Sequence, residues 1–286
     1  MELNFTGKGS AFYPPFKNTG AYMLSGKALY LIDCGETMFD VLYHKLDLAS
    51  IEDVYVILTH MHADHVGSLG TLISYFYCLF NKAIHVVYPQ ETIKQLLTLE
   101  GITPLGYHYH ETLPENPAGL TAVPVEVKHA LDMKCYGYVL SDGTETIYYS
   151  GDSSELPEDI RNRFLAGEIN RIYHDTSTHD SPNPSHCYYG KMEKWIPREE
   201  RHRVYCMHLD SPCEDMLREK GFNIREDILT IEEAKEEILK AGIEKYLSVV
   251  SEISEEEFLW RLWKNKSAKP VSISFTFAQC KPSLVF

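Results

Sequence analysis

The sequence predicts an α/β protein: one large domain followed by a smaller appendage. Short apolar runs that stop abruptly at polar residues read as central strands, an apolar helical stretch lies between two of them, and a later Asp-Gly turn introduces antiparallel pairing. A chain of 286 residues with 44% apolar and 12% aromatic composition has ample material for a core.

Ala28 to Asp33 reads as a buried strand broken by Cys34-Gly35, and Val54 to Leu58 as a second strand that delivers Thr59 and His60. After Gly67-Ser68-Leu69-Gly70, the segment Thr71 to Phe80 is apolar enough for a buried helix. Ile84 to Tyr88 follows as a strand, stopped by Pro89, which completes a βαβ rhythm. Thr121 to Val127 and Tyr136 to Leu140 read as extended, with Asp142-Gly143 as a two-residue hairpin turn into Thr146 to Tyr149. Arg171 to His174 and Arg203 to Met207 are short strands that each lead to a histidine, so polar residues collect where strands stop.

Beyond about Arg225 the character changes. Thr230 with Glu233 and Ser254 with Glu257 form capping boxes for helices, and Val271 to Phe277 alternates like a strand. The division expected is a domain over 1–228 and a helical accessory segment with a terminal strand over 229–286. Phe258, Leu259, Trp260, Leu262 and Trp263 need a surface to pack on: the main domain first, a homodimer contact or a lid otherwise.

A formal net charge of −14 repels long nucleic acid and favours a small-molecule substrate. Seven Cys without a C-x-x-C pair read as reduced thiols, and no apolar run is long enough to span a membrane. Met1 to Ser10 lacks the apolar stretch of a secretion signal, so the expected location is the cytoplasm.

The chemistry concentrates in Thr59-His60-Met61-His62-Ala63-Asp64-His65-Val66-Gly67, three imidazoles and a carboxylate at the end of a predicted strand. If the segment begins extended, His60 and His62 project to one side, and a following turn lets Asp64 and His65 face a second position. Imidazole nitrogen and carboxylate oxygen suit zinc, and also Mn²⁺ or Fe²⁺, so the ligand types leave the metal open.

The pattern His-x-His-x-Asp-His-x-x-Gly resembles the signature of the metallo-β-lactamase superfamily, hydrolases built as a four-layered αβ/βα sandwich. That resemblance implies two divalent metal ions, with zinc the first choice. By resemblance His60, His62 and His129 hold one ion, Asp64, His65 and His208 the other, and Asp152 bridges. Within the superfamily the likeness is to the tRNA 3′-processing (RNase Z) branch and its phosphodiesterase relatives, over approximately residues 3 to 225. Gly9-Ser10-Ala11, Asn18-Thr19 and Leu31-Ile32-Asp33-Cys34-Gly35-Glu36 resemble that branch near the N-terminus. His174-Asp175-Thr176-Ser177 resembles its His-Glu-Ala-Thr motif, and Ser185-His186 falls where it often carries Gly-His-Ser. The resemblance makes His174 a candidate general acid and Asp64 a residue that orients the attacking water as well as a metal ligand.

His129 and Asp152 are 23 residues apart, too few for the tRNA-gripping arm that members of that branch insert there. With the acidic net charge, this points to small phosphodiesters as substrates. The alternatives are a lactonase or thiolesterase of the same fold and, outside enzymes, a non-catalytic metal-binding sensor or scaffold. An open site with Asp ligands argues against the last, because purely structural zinc prefers a closed four-ligand site.

Overall fold

The structure, a computed structural model, describes residues 1–182 and 184–225. The accessory segment foreseen at 229–286, with its capping boxes and terminal strand, lies outside the described residues.

The fold begins as a meander. β1 (Asn4–Gly7), β2 (Gly20–Ser25) and β3 (Ala28–Ile32) pair antiparallel, and β4 (Asp53–Ile57), β5 (Ile84–Val87) and β6 (Tyr107–His110) continue from β3 in parallel, giving a six-stranded sheet in sequence order. The second sheet runs β11-β10-β9-β8-β7. In it β7 (Thr121–Val127), β8 (Cys135–Ser141) and β9 (Thr146–Tyr149) pair antiparallel, and β10 (Arg171–Asp175) and β11 (Val204–Met207) add in parallel. Helices supply the crossovers that parallel pairing requires. On the first half these are α1 (Met38–Lys45), the short α2 (Ala63–Val66), α3 (Leu69–Phe80) and α4 (Thr92–Leu99); on the second they are α5 (Glu158–Leu165) and α6 (Tyr189–Trp195), and α7 (Glu214–Glu219) follows β11.

Side-chain alternation makes four layers from these parts. Phe5 of β1 packs on Tyr149 and Tyr173 of the second sheet, so the sheets meet face to face. Met38, Leu72, Phe76 and Leu97 bring the helices of the first half into that core, while Tyr148, Ile172, Val204 and Cys206, on the far side of the second sheet, pack with Phe164, Met192 and Leu217. The result is the αβ/βα metallo-β-lactamase sandwich that the motif implied. None of the helices among the described residues is long and apolar enough to cross a membrane.

One local reading changes. The hairpin after β8 is a four-residue turn, with Ser141 paired to Thr146 and the Asp142 carboxylate accepting from the backbone of Thr144 and Glu145. That local cap satisfies donors that a two-residue turn would place in the ladder. Tyr107-His108-Tyr109-His110, where aromatic and imidazole side chains alternate, is strand β6, and none of its residues lines the cavity over the metal-ligand cluster.

Strand ends converge on one rim. Asp33 follows β3, His60 follows β4, Asp152 follows β9, Asp175 ends β10 and His208 follows β11. Asp33 and His208 adopt left-handed backbone (φ 66° and 57°), as the chain turns off its strands there. Gly151 does so as well, and a Cβ on it would lie 2.7 Å from the Tyr136 carbonyl oxygen and 2.8 Å from Thr59 Cβ. Only glycine lets that turn present Asp152 to the rim.

Candidate metal centre

The His60–His65 segment leaves β4 extended and turns into α2 at His62, whose carbonyl accepts from the His65 and Val66 amides. This change of backbone divides the ligands as alternation and turn together require. His60 Nε2 lies 3.0 Å from His62 Nδ1, and His129 Nε2 lies 3.2 Å from the same His62 nitrogen. Asp64 Oδ2 lies 3.2 Å from His65 Nε2 and 3.3 Å from His208 Nε2. Asp152 stands between the two sets. Its Oδ1 is 3.2 Å from His65 Nε2 and 3.4 Å from His208 Nε2, while its Oδ2 is 3.6 Å from His129 Nε2 and 3.8 Å from His60 Nε2.

The ligand atoms of His60, His62 and His129 form one compact group, and those of Asp64, His65, Asp152 and His208 a second. Within the second group His65 Nε2 and Asp152 Oδ1 are buried with no hydrogen-bond partner. Unpartnered buried lone pairs are costly unless something binds them, so the donor set fits divalent cations. Together the groups make a binuclear metal site of the kind that supports metal-dependent hydrolysis.

The electrostatics agree. Burial, helped by neighbouring imidazoles, holds His60 well below the ordinary histidine range, and burial likewise lowers His129, so both present neutral nitrogens. In the second set burial opposes charge on His65 and His208, but Asp152 outweighs it, with Asp33 on His65 and Asp175 on His208; His65 rises well above its usual value and His208 is pushed up to about 10. Burial alone would raise Asp64 and Asp152, yet the facing imidazoles hold both below the carboxylate range. Carboxylates thus supply the second set with negative charge that a cation would balance, while the first set offers neutral imidazoles.

Supporting groups orient the ligands. His65 Nδ1 meets Asp33 Oδ2 at 2.8 Å, and Asp33 is itself fixed by the Thr59 amide and hydroxyl. A buried carboxylate behind a metal-binding imidazole sets its tautomer and raises its basicity. His129 Nδ1 donates to the Ser185 carbonyl at 2.9 Å, and the His208 amide donates to Thr19 Oγ1. Gly35 allows the turn after β3 to pass under the metal segment, since a Cβ there would sit 1.9 Å from the Asp64 carbonyl oxygen. Cys34 is fully buried, and burial pushes its thiol up to about 12, which makes it a packing residue rather than a nucleophile.

A cavity of about 620 Å³ opens over the cluster, lined by the ligands His62, Asp64, His129, Asp152 and His208 together with Phe12, Glu36, His186 and Asp210. A larger one, about 1190 Å³, adjoins it at His129, Ala130 and Ser185. His174 reaches neither. It is fully buried, its Nδ1 donates to the Asp175 carbonyl at 2.7 Å, and alternation along β10 turns it away from the face that carries Tyr173 and Asp175. The imidazole that faces the cluster is His186: Nδ1 is 2.8 Å from Asp175 Oδ2 and the ring stacks on His208 at 4.9 Å. Burial disfavours its charged form, but Asp175 raises it above the ordinary histidine value. Two buried carboxylates beside the metal ligands thus matter here. Asp33 and Asp175 both stood within recognisable motifs, but neither motif says which imidazole its carboxylate meets.

A sequence-family profile described as "Anti-Pycsar protein Apyc1" matches residues 1–224. The chain belongs to this family. Its Apyc1 relatives include the protein of Paenibacillus harenae, 26% identical over 223 residues that cover 73% of this chain and 89% of that one. Another, from Bacillus phage 010DV004, is 26% identical over 252 residues, covering 77% and 93%. Among solved structures, the metallo-β-lactamase fold protein YhfI from Bacillus subtilis superposes with a TM-score of 0.62 at 18% identity, covering 79% of this chain and 97% of that one. The short form of human tRNase Z gives 0.59 at 18%, covering 81% and 98%. A diphosphatase of the PhnP family gives 0.61 at 18%, covering 80% and 96%. At these identities the structures speak to this chain's fold alone.

Proposed function

We propose that this protein hydrolyses small phosphodiesters, with His186 as the general acid. The observation that carries this reading is the His186–Asp175 pair, held over a binuclear cluster in a cavity of about 620 Å³. His60, His62 and His129 would hold one ion and Asp64, His65 and His208 the other, with Asp152 reaching both. Two divalent ions, zinc by preference, would supply Lewis acidity and lower the pKa of bound water to about 7.

The chain's own groups do the rest. Asp64 orients the attacking water, and Asp175 holds His186 by Nδ1 so that Nε2 carries the proton toward the leaving oxygen. The acid role foreseen for His174 passes to His186, because His174 lies behind the strand. The net charge of −14 works against long polyanions. Two of the solved folds belong to a diphosphatase and a tRNase, which agrees with phosphorus chemistry on this scaffold.

The test is hydrolysis of bis(p-nitrophenyl) phosphate with added Zn²⁺ or Mn²⁺, Asp64→Ala serving as background, followed by cyclic nucleotides and dinucleotides. His186→Ala should slow substrates with alkoxide leaving groups by about 10²–10³ and spare the nitrophenolate, which needs no proton. Equal slowing of both would remove the acid role. Turnover of a lactone or thioester, with none of any phosphodiester, would replace the reading.

A further inference from the structure

A second concentration of imidazoles lies on the edge of the first sheet, sharing no residue with the binuclear cluster. Phe5, which faces the second sheet, pairs with Ala21, and Ala21 with Ile32; alternation from there puts Tyr30, Tyr55, His85, His108 and His110 on the same face. Tyr30 stacks on Tyr55 at 4.9 Å and Tyr55 on His85 at 4.5 Å. His85 in turn lies 5.4 Å from the His108 ring and 5.1 Å from that of His110. The row runs outward from buried tyrosines to half-buried His85 and His110 and exposed His108.

His85 Nδ1 lies 2.9 Å from His110 Nε2. One of those nitrogens donates and the other accepts, so the two rings are not both imidazolium. Burial comes first and the neighbouring imidazoles second in holding both His85 and His110 below the ordinary value, and Asp53 pulls His85 the other way. Neutral imidazoles this close form half of a metal site. Two nitrogens bound tetrahedrally at about 2.0–2.1 Å stand roughly 3.3 Å apart, so replacing the shared proton by an ion opens the pair by only about 0.4 Å. Stacking on Tyr55 fixes the His85 ring, and exposed His108, opposite His85 in the ladder, would become a third donor by a change of rotamer.

We propose that His85, His110 and His108 bind a further divalent transition-metal ion of the zinc, nickel or copper type, linking β5 to the edge strand β6. Imidazole selects such ions over Mg²⁺ or Ca²⁺, which prefer oxygen.

The experiment is equilibrium dialysis of the full chain, with its binuclear centre saturated, against micromolar Zn²⁺, reading metal content by elemental analysis. Wild type should hold one zinc more than the His85→Ala/His110→Ala double variant, with hydrolysis the same in both, and His108→Ala should bind the extra ion roughly tenfold more weakly. The additional zinc should also raise the Tm of wild type alone. His110→Gln, which keeps a hydrogen-bonding group for His85, guards against misfolding and should also lack the extra ion. His44→Ala/His202→Ala, altering exposed histidines elsewhere, should retain it. Equal zinc in wild type and folded His110→Gln, or loss of the extra ion in His44→Ala/His202→Ala, would overturn the assignment.

Discussion

The two halves of the binuclear centre are built to different standards of rigidity. Asp64, His65, Asp152 and His208 are all buried, and His65 is backed by the Asp33 carboxylate. In the other half only His60 is buried; His62 and His129 are partly exposed, and His129 is held by a single loop carbonyl, that of Ser185. The first set offers three imidazoles of its own, whereas the second adds Asp64 and has the closer reach of Asp152. Charge, burial and support therefore all favour the second set, which should hold its ion more tightly.

That ranking can be broken in stages. Asp152→Ala removes the one carboxylate that reaches both sets, and turnover should fall on the order of 10³-fold or more, with metal content reduced at both. If one ion stayed at full affinity, the shared role would be wrong. Chelator titration of the wild type should release two ions in separate phases, the first without loss of far-UV dichroism; simultaneous release would erase the distinction. Asp33→Asn should weaken the second set by about 10- to 100-fold and leave the more readily lost ion unchanged, as read by competition with a chromogenic chelator.

The smallest effect is a control away from both sets. Burial would raise Glu145, but bonds from Arg171 and the Met1 ammonium hold it below the usual glutamate range. Its contribution is therefore complete above the unfolded carboxylate pKa and disappears as pH falls through the lower folded value. Glu145→Gln should cost about 1 kcal/mol at neutral pH, a difference that vanishes in acid, with metal affinities unchanged. A pH-independent difference would mean that packing, rather than charge, is what the glutamate supplies.

Local pattern carried much of this molecule into view. The strands leading to His60 and His208 were legible because uninterrupted apolar runs stop at polar residues, and α3 because its apolar length exceeds any strand. β6 was harder: Tyr and His alternate there, and nothing local tells a strand whose outer face lies under α4 from a surface ribbon. The ligand segment announced itself by density. Which of His174 and His186 faces the cluster was not legible, because a shift of one residue along β10 exchanges faces and only the sheet pairing settles that parity. Asp33 was visible as part of a motif, but its bond to His65 spans 32 residues and exists only once β3 and β4 lie side by side.

The second ligand set also has a mechanical side. Asp64 and His65 come from the turn after β4, in one sheet, and Asp152 and His208 from turns after β9 and β11, in the other. A cation there is a clasp across the sandwich, closing a loop from residue 64 to residue 208 that the apolar interior must otherwise close unaided. Loading the centre should therefore slow amide hydrogen exchange at the ends of β4 and β11 together, and the two halves should lose that protection as a unit when the clasp is withdrawn.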